Sequence, residues 1–552
     1  MVEMAHSTPH GFSRRQVLTG AAGLAAAAAG GGTDPETRAD DTETARPEPD
    51  QLHFANLNQP QRYQYTRATD LAGRRRFAFL DTRQIRDIQG ADLRFHPAEK
   101  HGDPVLECDS SLETGVLLYG SVLHDGQRFR MWYQPIAKKT GQGNPYDVAY
   151  AESSDGIHWR RPKLGVVARN GSTKNNLVNM RGHGPSVMDL GPAAPPERRY
   201  LGIAVGFAPI LGVPEALDHP QTRRHHGYWM YYSADGFRWH LYERPGCGIF
   251  HHMSDTACFV HDPHRGRILG SVKLEPRVRL FDRRSVTIAT APTDALTNWS
   301  APRLALYPDE LDDRMAVERG ARFLEFYGMG MLPTRDLLIG FPETYWVEGG
   351  LHPSQVAGVR LGWEGKCEIQ MAYSYDGHAW HRSLGRKPLI ALGKTGDWDA
   401  GFLTMQGSAV EVDGMTHLYY SACPGGHDFP PGQNTRKIGL ARVRQDRFAS
   451  IGTGGRGMVE VFHGRRSGVG LAVNSQSRNG GELRVEVRRP KGKQSEPIVG
   501  FEAADCRPIR GDGIRQPVAW KNRTWQDLPA GENLLLRFQL LNSDVFAYEV
   551  KS

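Results

Sequence analysis

Acidic side chains stand immediately ahead of several apolar stretches of this 552-residue chain. They are Glu113 before TGVLLYG, Asp255 before TACFV, Glu325 before FYGMG and Asp399 before AGFL. Two carboxyl groups that face one another can divide the work of acid and base, because one donates a proton while the other accepts one. Acid–base chemistry by carboxyl groups is therefore the first hypothesis for this chain.

Short motifs for other chemistries are missing from the sequence. It contains no G-x-S-x-G elbow, no P-loop, no H-E-x-x-H and no C-x-x-C. His183, His251 and His252 are spaced too loosely to favour a metal site, so we expect neither a metal nor another cofactor. The net charge of +7 comes from 68 basic and 61 acidic residues that are scattered along the chain, which does not favour nucleic acid as a partner.

The elements that must position these acids recur along the chain. Three stretches are close copies of one another: AYAESSDGIHW (149–159), MYYSADGFRW (230–239) and MAYSYDGHAW (371–380). Weaker copies are TIATAPTDALTNW (287–299) and GLARVRQDRFAS (439–450). A unit of about seventy residues thus occurs five times. We interpret the repeated Asp beside Gly as a turn residue and the repeated Trp as a packing residue.

A hairpin precedes each copy and a short strand follows it, so each unit has four strands. This predicts an all-β fold, with a five-bladed β-propeller over residues 70–450 and a C-terminal β-sandwich over 451–552. We expect RRRFAFLDTRQI (74–85) to supply the strand that closes the propeller ring. A solenoid or a pair of sandwiches is the alternative architecture.

The N-terminal segment predicts export. Arg14 and Arg15 precede a short Ala-rich stretch, which is typical of a twin-arginine signal peptide over residues 1–30. Residues 31–69 are polar and acidic and read as a disordered linker and lead-in. We therefore expect the twin-arginine export machinery as a partner, a periplasmic or extracellular location, and no membrane association after signal cleavage.

Two further stretches, KLGVVARNGSTKNNLV (163–178) and GFEAADCRPIRGDGIRQPVAW (500–520), carry a resemblance. With the repeats, they make the chain similar to the five-bladed β-propeller glycoside hydrolases of family 32/43 type, and in particular to a bacterial secreted group with a C-terminal β-sandwich. The family 32 motifs W-M-N-D-P-N-G, R-D-P and E-C are not present in order, so the resemblance does not extend to fructan specificity.

The resemblance implies a secreted glycoside hydrolase that cleaves a poly- or oligosaccharide with paired carboxylates in the propeller funnel. Such carboxylates lie on or just before the innermost strands of different blades, which selects Asp255, Glu325 and Glu113 as the catalytic set. The same positions select Asp399 and His183 as implied substrate-binding residues. The other implied substrate-binding residues are Trp398, as a sugar platform beside Asp399, His252, as a partner of sugar hydroxyls, and Asp109. Asp109 is also a rival to Glu113.

Two other functions remain open at this point. The chain can be a carbohydrate-binding propeller without catalysis, because a fold alone does not fix a function. It can also be a glycoside phosphorylase or transferase on the same fold. Converging carboxylates favour hydrolysis, solvent-facing carboxylates favour binding, and a basic anion pocket beside a single acid favours phosphorolysis or transfer.

Overall fold

The computed structural model describes residues 74–108, 113–137, 146–206, 227–242, 248–250, 255–278, 281–349, 364–405, 407–427 and 435–551. The predicted signal peptide and linker lie outside these residues. The described residues are nearly all β, as expected, and their only α-helix is α1 (Glu310–Glu318). Within the same ranges, no helix combines the length and the apolar character that a bilayer crossing requires.

The strands are numbered in chain order. Those before residue 190 are β1 (Arg76–Ala78), β2 (Ile85–Gln89), β3 (Asp92–Phe95), β4 (Glu99–Lys100), β5 (Glu113–His124), β6 (Phe129–Ala137), β7 (Asp147–Ser153), β8 (Leu177–Arg181) and β9 (His183–Asp189). Those between residue 190 and α1 are β10 (Tyr200–Gly206), β11 (Gly227–Ser233), β12 (His240–Leu241), β13 (Gly248–Ile249), β14 (Ala257–Asp262), β15 (Arg267–Leu274), β16 (Arg277–Val278), β17 (Phe281–Asp282), β18 (Ser285–Pro292) and β19 (Arg303–Leu306). Those after α1 are β20 (Phe323–Pro333), β21 (Leu338–Gly349), β22 (Glu364–Ile369), β23 (Ala372–Ser374), β24 (His381–Arg382), β25 (Phe402–Thr404), β26 (Val410–Val412), β27 (Met415–Cys423), β28 (Lys437–Arg444), β29 (Ala449–Arg465), β30 (Gly470–Lys491), β31 (Gln494–Pro497), β32 (Asp512–Pro517) and β33 (Asn533–Lys551).

Twenty of the strands from β4 to β28 form five groups of antiparallel strands. The first group is β5-β6-β7-β8, the second is β9-β10-β11-β12, and the third is β14-β15-β18-β19. The fourth is β20-β21-β23-β24 and the fifth is β26-β27-β28-β4. Strands β22 and β25 join the fourth and fifth groups into one ten-stranded sheet.

The repeated Asp-Gly-x-x-Trp sequence builds the same turn in the first, second and fourth groups. In the second group, Asp235 Oδ1 accepts the backbone N–H groups of Phe237 and Arg238 at 2.7 and 2.8 Å. The Trp239 indole donates to the Gly236 carbonyl at 2.9 Å, and Gly236 has a φ of +81°, which favours glycine. The interpretation of these Asp residues as turn residues is therefore confirmed.

Each of the five groups contacts the next. Val187 of the second group donates its N–H to Ser121 Oγ of the first at 2.8 Å, and Phe259 of the third donates to Ser186 Oγ of the second at 3.0 Å. The remaining contacts are Met331 N–H to the Cys258 sulfur, the Met331–Ser408 bridge, and Leu118 N–H to Ser421 Oγ at 2.9 Å. The fifth group thus contacts the first.

The strand expected at residues 74–85 lies elsewhere, so that prediction is wrong. Strand β1 pairs with β33 and β2 pairs with β29, both in the C-terminal sheet. The reason is aromatic packing, because Phe77 stacks on Tyr548 at 4.6 Å and Phe79 packs edge-on against Phe538 at 5.8 Å. The strand that pairs with β28 is β4, followed by a bridge between Leu106 and Ile438.

The residues after 448 form one continuous eight-stranded sheet with β1, β2 and β3. Strand β33 lies between β29 and β30 and pairs with both along most of its 19 residues. Register shifts interrupt these pairings, as at Thr453–Arg456 and Ser477–Glu482. Such irregularities bend long strands.

Candidate active site

Side chains from all five groups of strands contact one another in one cluster. This central cluster consists of Tyr119, His183, Asp255, Lys273, Tyr327 and His427. Tyr119 comes from the first group and packs edge-on against His183 of the second, with the ring centres 5.3 Å apart.

Two tyrosines in the central cluster form a hydrogen-bonded chain. Tyr119 donates to the Tyr327 hydroxyl, which lies 3.2 Å from His427 Nε2. Both tyrosines sit where the register of their strand shifts, between Leu117 and Ser121 and between Phe326 and Met329. A shift of this kind re-aims a side chain, which turns both hydroxyls toward one another.

Burial keeps both hydroxyls protonated. It raises the pKa of Tyr119 well above 10, and it also raises the pKa of Tyr327, where the nearby Lys273 acts in the opposite direction. The Lys273 ammonium lies 4.3 Å from the centre of the Tyr327 ring. The two tyrosines therefore act as hydrogen-bonding groups near neutral pH.

Asp255 is the accessible carboxylate of the central cluster. Its side chain is 51% exposed, whereas that of its ion-pair partner Lys273 is 4% exposed, with 3.0 Å between Lys273 Nζ and Asp255 Oδ1. Lys273 lies near the end of β15 and Asp255 just before β14, which are antiparallel neighbours. The buried lysine thus fixes a carboxylate whose side chain is about half exposed.

Glu325 is connected to the same cluster through an arginine. Arg284 Nη1 lies 2.5 Å from Glu325 Oε2, and the Arg284 backbone N–H donates to Oε1 at 3.1 Å. The guanidinium carbon also lies 5.6 Å from the centre of the Tyr327 ring. Both oxygens of Glu325 are engaged, so this carboxylate anchors Arg284 beside Tyr327.

A further cation borders the cluster from the fifth group. Arg436 lies beside Tyr119 and Tyr327, and its guanidinium carbon is 5.2 Å from the centre of the Phe402 ring. Its Nη1 atom is buried and has no hydrogen-bond partner among the described residues. A buried donor without a partner is costly, which points to a group that binds there.

Glu113 belongs to a different set of contacts. Arg161 Nη2 lies 2.7 Å from Glu113 Oε1 and also donates to the Glu107 carbonyl. The same guanidinium donates to the Tyr133 hydroxyl at 2.9 Å. Glu113 is 3% exposed, so its observed role is to hold Arg161 in the first group.

The predicted substrate-binding acid and tryptophan make structural contacts. Asp399 accepts from Lys100 Nζ at 2.8 Å and from the Tyr420 hydroxyl at 3.1 Å. Trp398 stacks on Tyr420 at 5.8 Å and donates to the Gly102 carbonyl at 2.9 Å. Both therefore attach the β4 segment to the fifth group.

Two predicted residues, Asp109 and His252, lie outside the described residues, whereas His183 belongs to the central cluster. Among the described residues, no group of three His, Cys, Asp or Glu side chains has an arrangement that could hold a metal ion. Sequence reasoning missed Lys273, Tyr327, His427 and Arg436. The signal that could have found Lys273 is a lysine within the apolar strand RILGSVKL.

Comparison with solved structures returned glycoside-processing enzymes. The β-1,2-mannobiose phosphorylase from Listeria innocua is 11% identical, covers 64% of this chain and 97% of its own, and has a TM-score of 0.39. A glycosyl hydrolase from Bacteroides ovatus is 14% identical, with 64% and 94% covered and a TM-score of 0.40. An α-L-arabinofuranosidase from Podospora anserina is 8% identical, with 63% and 98% covered and a TM-score of 0.36.

The resemblance to glycoside hydrolases expected from the sequence is thus found again among solved structures. No family model and no curated protein matches the chain. At these identities and TM-scores, the likeness carries no information on the reaction or substrate of this protein.

Proposed function

We propose that this protein is a carbohydrate-active enzyme that cleaves a glycosidic bond at the central cluster. The observation that carries the proposal is Asp255, a half-exposed carboxylate fixed by the buried Lys273 at 3.0 Å. It stands where polar side chains from five groups of strands converge. Cleavage of a glycosidic bond requires a carboxyl group that is both positioned and accessible to the sugar.

Each residue of the cluster has a role in this proposal. Asp255 is the reacting carboxylate, and Tyr119, Tyr327 and His183 bind sugar hydroxyls. Lys273 and Arg284 are positioning residues, since they hold Asp255 and Glu325 beside Tyr327. In a hydrolase, the scissile oxygen receives a proton while water adds to the sugar carbon. Asp255 is the accessible carboxyl group for one of these proton transfers, and Glu325 holds Arg284.

Phosphorolysis is the second candidate, and the basic side chains favour it. Lys273, Arg284 and Arg436 all lie beside Tyr327, and Arg436 Nη1 has no partner among the described residues. Phosphate supplies its own nucleophilic oxygen, so a phosphorylase needs only one protein acid beside an anion pocket. Asp255, as the accessible carboxylate, fits that requirement.

We further propose a five-bladed β-propeller with a C-terminal β-sandwich as the architecture. The contacts that run from each group of strands to the next, and from the fifth to the first, support the propeller. The long strands β29, β30 and β33 bend at their register shifts and share one apolar core, which supports the sandwich. Residues 1–30 remain our candidate for a twin-arginine signal that directs the protein out of the cytoplasm.

The test is sugar release from a panel of aryl glycosides and polysaccharides, each assayed with and without inorganic phosphate. We expect release by the parent, and a loss of at least about a hundredfold in Asp255→Asn. Release in water alone identifies a hydrolase, and release that needs phosphate and yields a sugar phosphate identifies a phosphorylase.

The matched control for this test is Asp294→Asn, which changes an exposed acid in the turn after β18. Its activity is expected to equal that of the parent. Full activity in folded Asp255→Asn contradicts the proposed site, and no release from any substrate contradicts the proposed reaction.

A further inference from the structure

A cavity lies between the C-terminal sheet and the turns of the third, fourth and fifth groups. It has a volume of about 560 Å³, which is within the range of small-molecule binding sites. We call it the seam cavity. None of its lining residues belongs to the central cluster.

The floor of the seam cavity is a bridged pair of carboxylates. Arg76 Nη1 lies 3.2 Å from Asp446 and Arg76 Nη2 lies 3.3 Å from Glu549. The backbone N–H of Arg76 donates to Asp336 at 2.9 Å, which fixes the arginine from the fourth group. The floor therefore offers fixed donors and acceptors side by side.

Burial in this floor raises the pKa of Asp446 to about 6, with Arg76 acting in the opposite direction and Glu411 and Glu549 adding to the rise. Near pH 6 the floor thus includes a carboxyl group that is present in both its charged and its neutral form. A carboxyl group in either form can bond a sugar hydroxyl, because the hydroxyl both donates and accepts.

The rim of the cavity is basic and exposed. It carries Arg75, Arg335, Arg515 and Lys551. Arg515 pairs with Glu549 at 3.3 Å, whereas the side chains of Arg335 and Lys551 form no ion pair within the described part of the chain. These two cations are therefore available to an anionic ligand.

We propose that the seam cavity is a second binding site, which holds a short oligosaccharide carrying carboxylate groups. The bridged floor binds sugar hydroxyls, and the rim cations Arg335 and Lys551 bind the acidic groups. Carboxylates bonded by guanidinium and ammonium groups form short, charge-assisted hydrogen bonds. The choice of a saccharide as ligand rests on the function proposed above, whereas the need for acidic groups rests on the rim.

The experiment measures binding by calorimetry to the full chain carrying Asp255→Asn, so that no ligand is turned over. The probes are trigalacturonate and the neutral trisaccharide maltotriose. We expect trigalacturonate to bind, to bind at least about tenfold more tightly than maltotriose, and to weaken as salt screens the rim charges. Arg335→Ala with Lys551→Ala should weaken trigalacturonate binding by at least about tenfold.

Arg335 and Lys551 are exposed, so the double variant should fold, and its melting temperature verifies this. The matched control is Arg314→Ala with Lys394→Ala, a pair that is also exposed and lies outside the cavity lining. Absence of trigalacturonate binding, equal binding of maltotriose, or binding unaffected by the rim variant overturns the proposal. These outcomes are separate from sugar release, which Asp255→Asn tests at the central cluster.

Discussion

Tyr327 is the residue on which most contacts of the central cluster depend. Its hydroxyl accepts from Tyr119 and lies 3.2 Å from His427 Nε2, and its ring faces Lys273. Tyr327→Phe keeps the ring but removes both hydrogen bonds. We expect kcat/KM to fall by about tenfold or more, and the free energy of unfolding to fall by about 1–3 kcal/mol because buried groups lose their partner.

The control for this variant is Tyr232→Phe, which changes a tyrosine that stacks on His240 in the second group. It should leave kcat/KM within about twofold of the parent. Kinetics of purified Tyr327→Phe that match the parent would contradict a role for this hydroxyl in the site.

The sequence selected Asp255 by its place before an apolar strand, and this residue lies in the central cluster. The same reasoning also selected Glu113, whose contact with Arg161 lies outside the central cluster. Glu113 occupies the equivalent repeat position, but its partner Arg161 follows 48 residues later. Lys273 and His427 were not predicted because their contacts are with residues distant in the sequence, which no local sequence pattern indicates.

At the scale of elements, α1 is held by charges that are entirely buried. Arg386 Nη1 and Nη2 each lie 2.6 Å from an oxygen of Asp309, which also caps the helix by accepting from Leu311 and Asp312 N–H groups. Arg386→Met leaves the buried Asp309 carboxylate without its ion-pair partner. We expect the free energy of unfolding to fall by about 3–5 kcal/mol in urea titrations.

Arg314→Met supplies the comparison, because Arg314 is exposed on the same helix. Arg314→Met should lower the free energy of unfolding by no more than about 0.5 kcal/mol. A cost for Arg386→Met no larger than that of Arg314→Met would show that the buried ion pairs add nothing to stability.

The repeated turns could be predicted because Ser, Asp and Gly determine them locally. The sheet with which residues 76–95 pair could not be predicted. Phe77 and Phe79 on one face of a short strand suit any apolar sheet, and their choice of the C-terminal sheet depends on Tyr548 and Phe538, more than 450 residues away.

For the whole molecule, His463 links stability to pH. It is buried among Phe77, Trp525 and Tyr548, and burial lowers its pKa to about 4 from an ordinary 6.5. Between pH 6.5 and pH 4, His463 binds a proton in the unfolded chain but stays neutral in the folded chain. Stability from this residue is therefore complete above pH 6.5 and is lost as pH falls toward 4, by up to about 3 kcal/mol.

Asp446 acts in the opposite direction over much of this range, because its pKa is raised and stability is lost as pH rises through the interval from 3.8 to about 6. The informative measurement is therefore the difference in unfolding free energy between His463→Phe and the parent. This difference should shift in favour of the variant as pH falls from 7 to 4. A difference that is constant with pH would contradict a neutral, buried His463.

The C-terminal sheet cannot be completed until strand β33 has been synthesised. It is the central strand between β29 and β30 and also pairs with β1, yet it is the last of the described strands to leave the ribosome. During synthesis, the backbone groups of β1 and of the facing edges of β29 and β30 stay unpaired until β33 has been made. A nascent chain therefore depends on β33 for protection against aggregation, and premature termination before residue 533 should yield a product that chaperones retain rather than a smaller working protein.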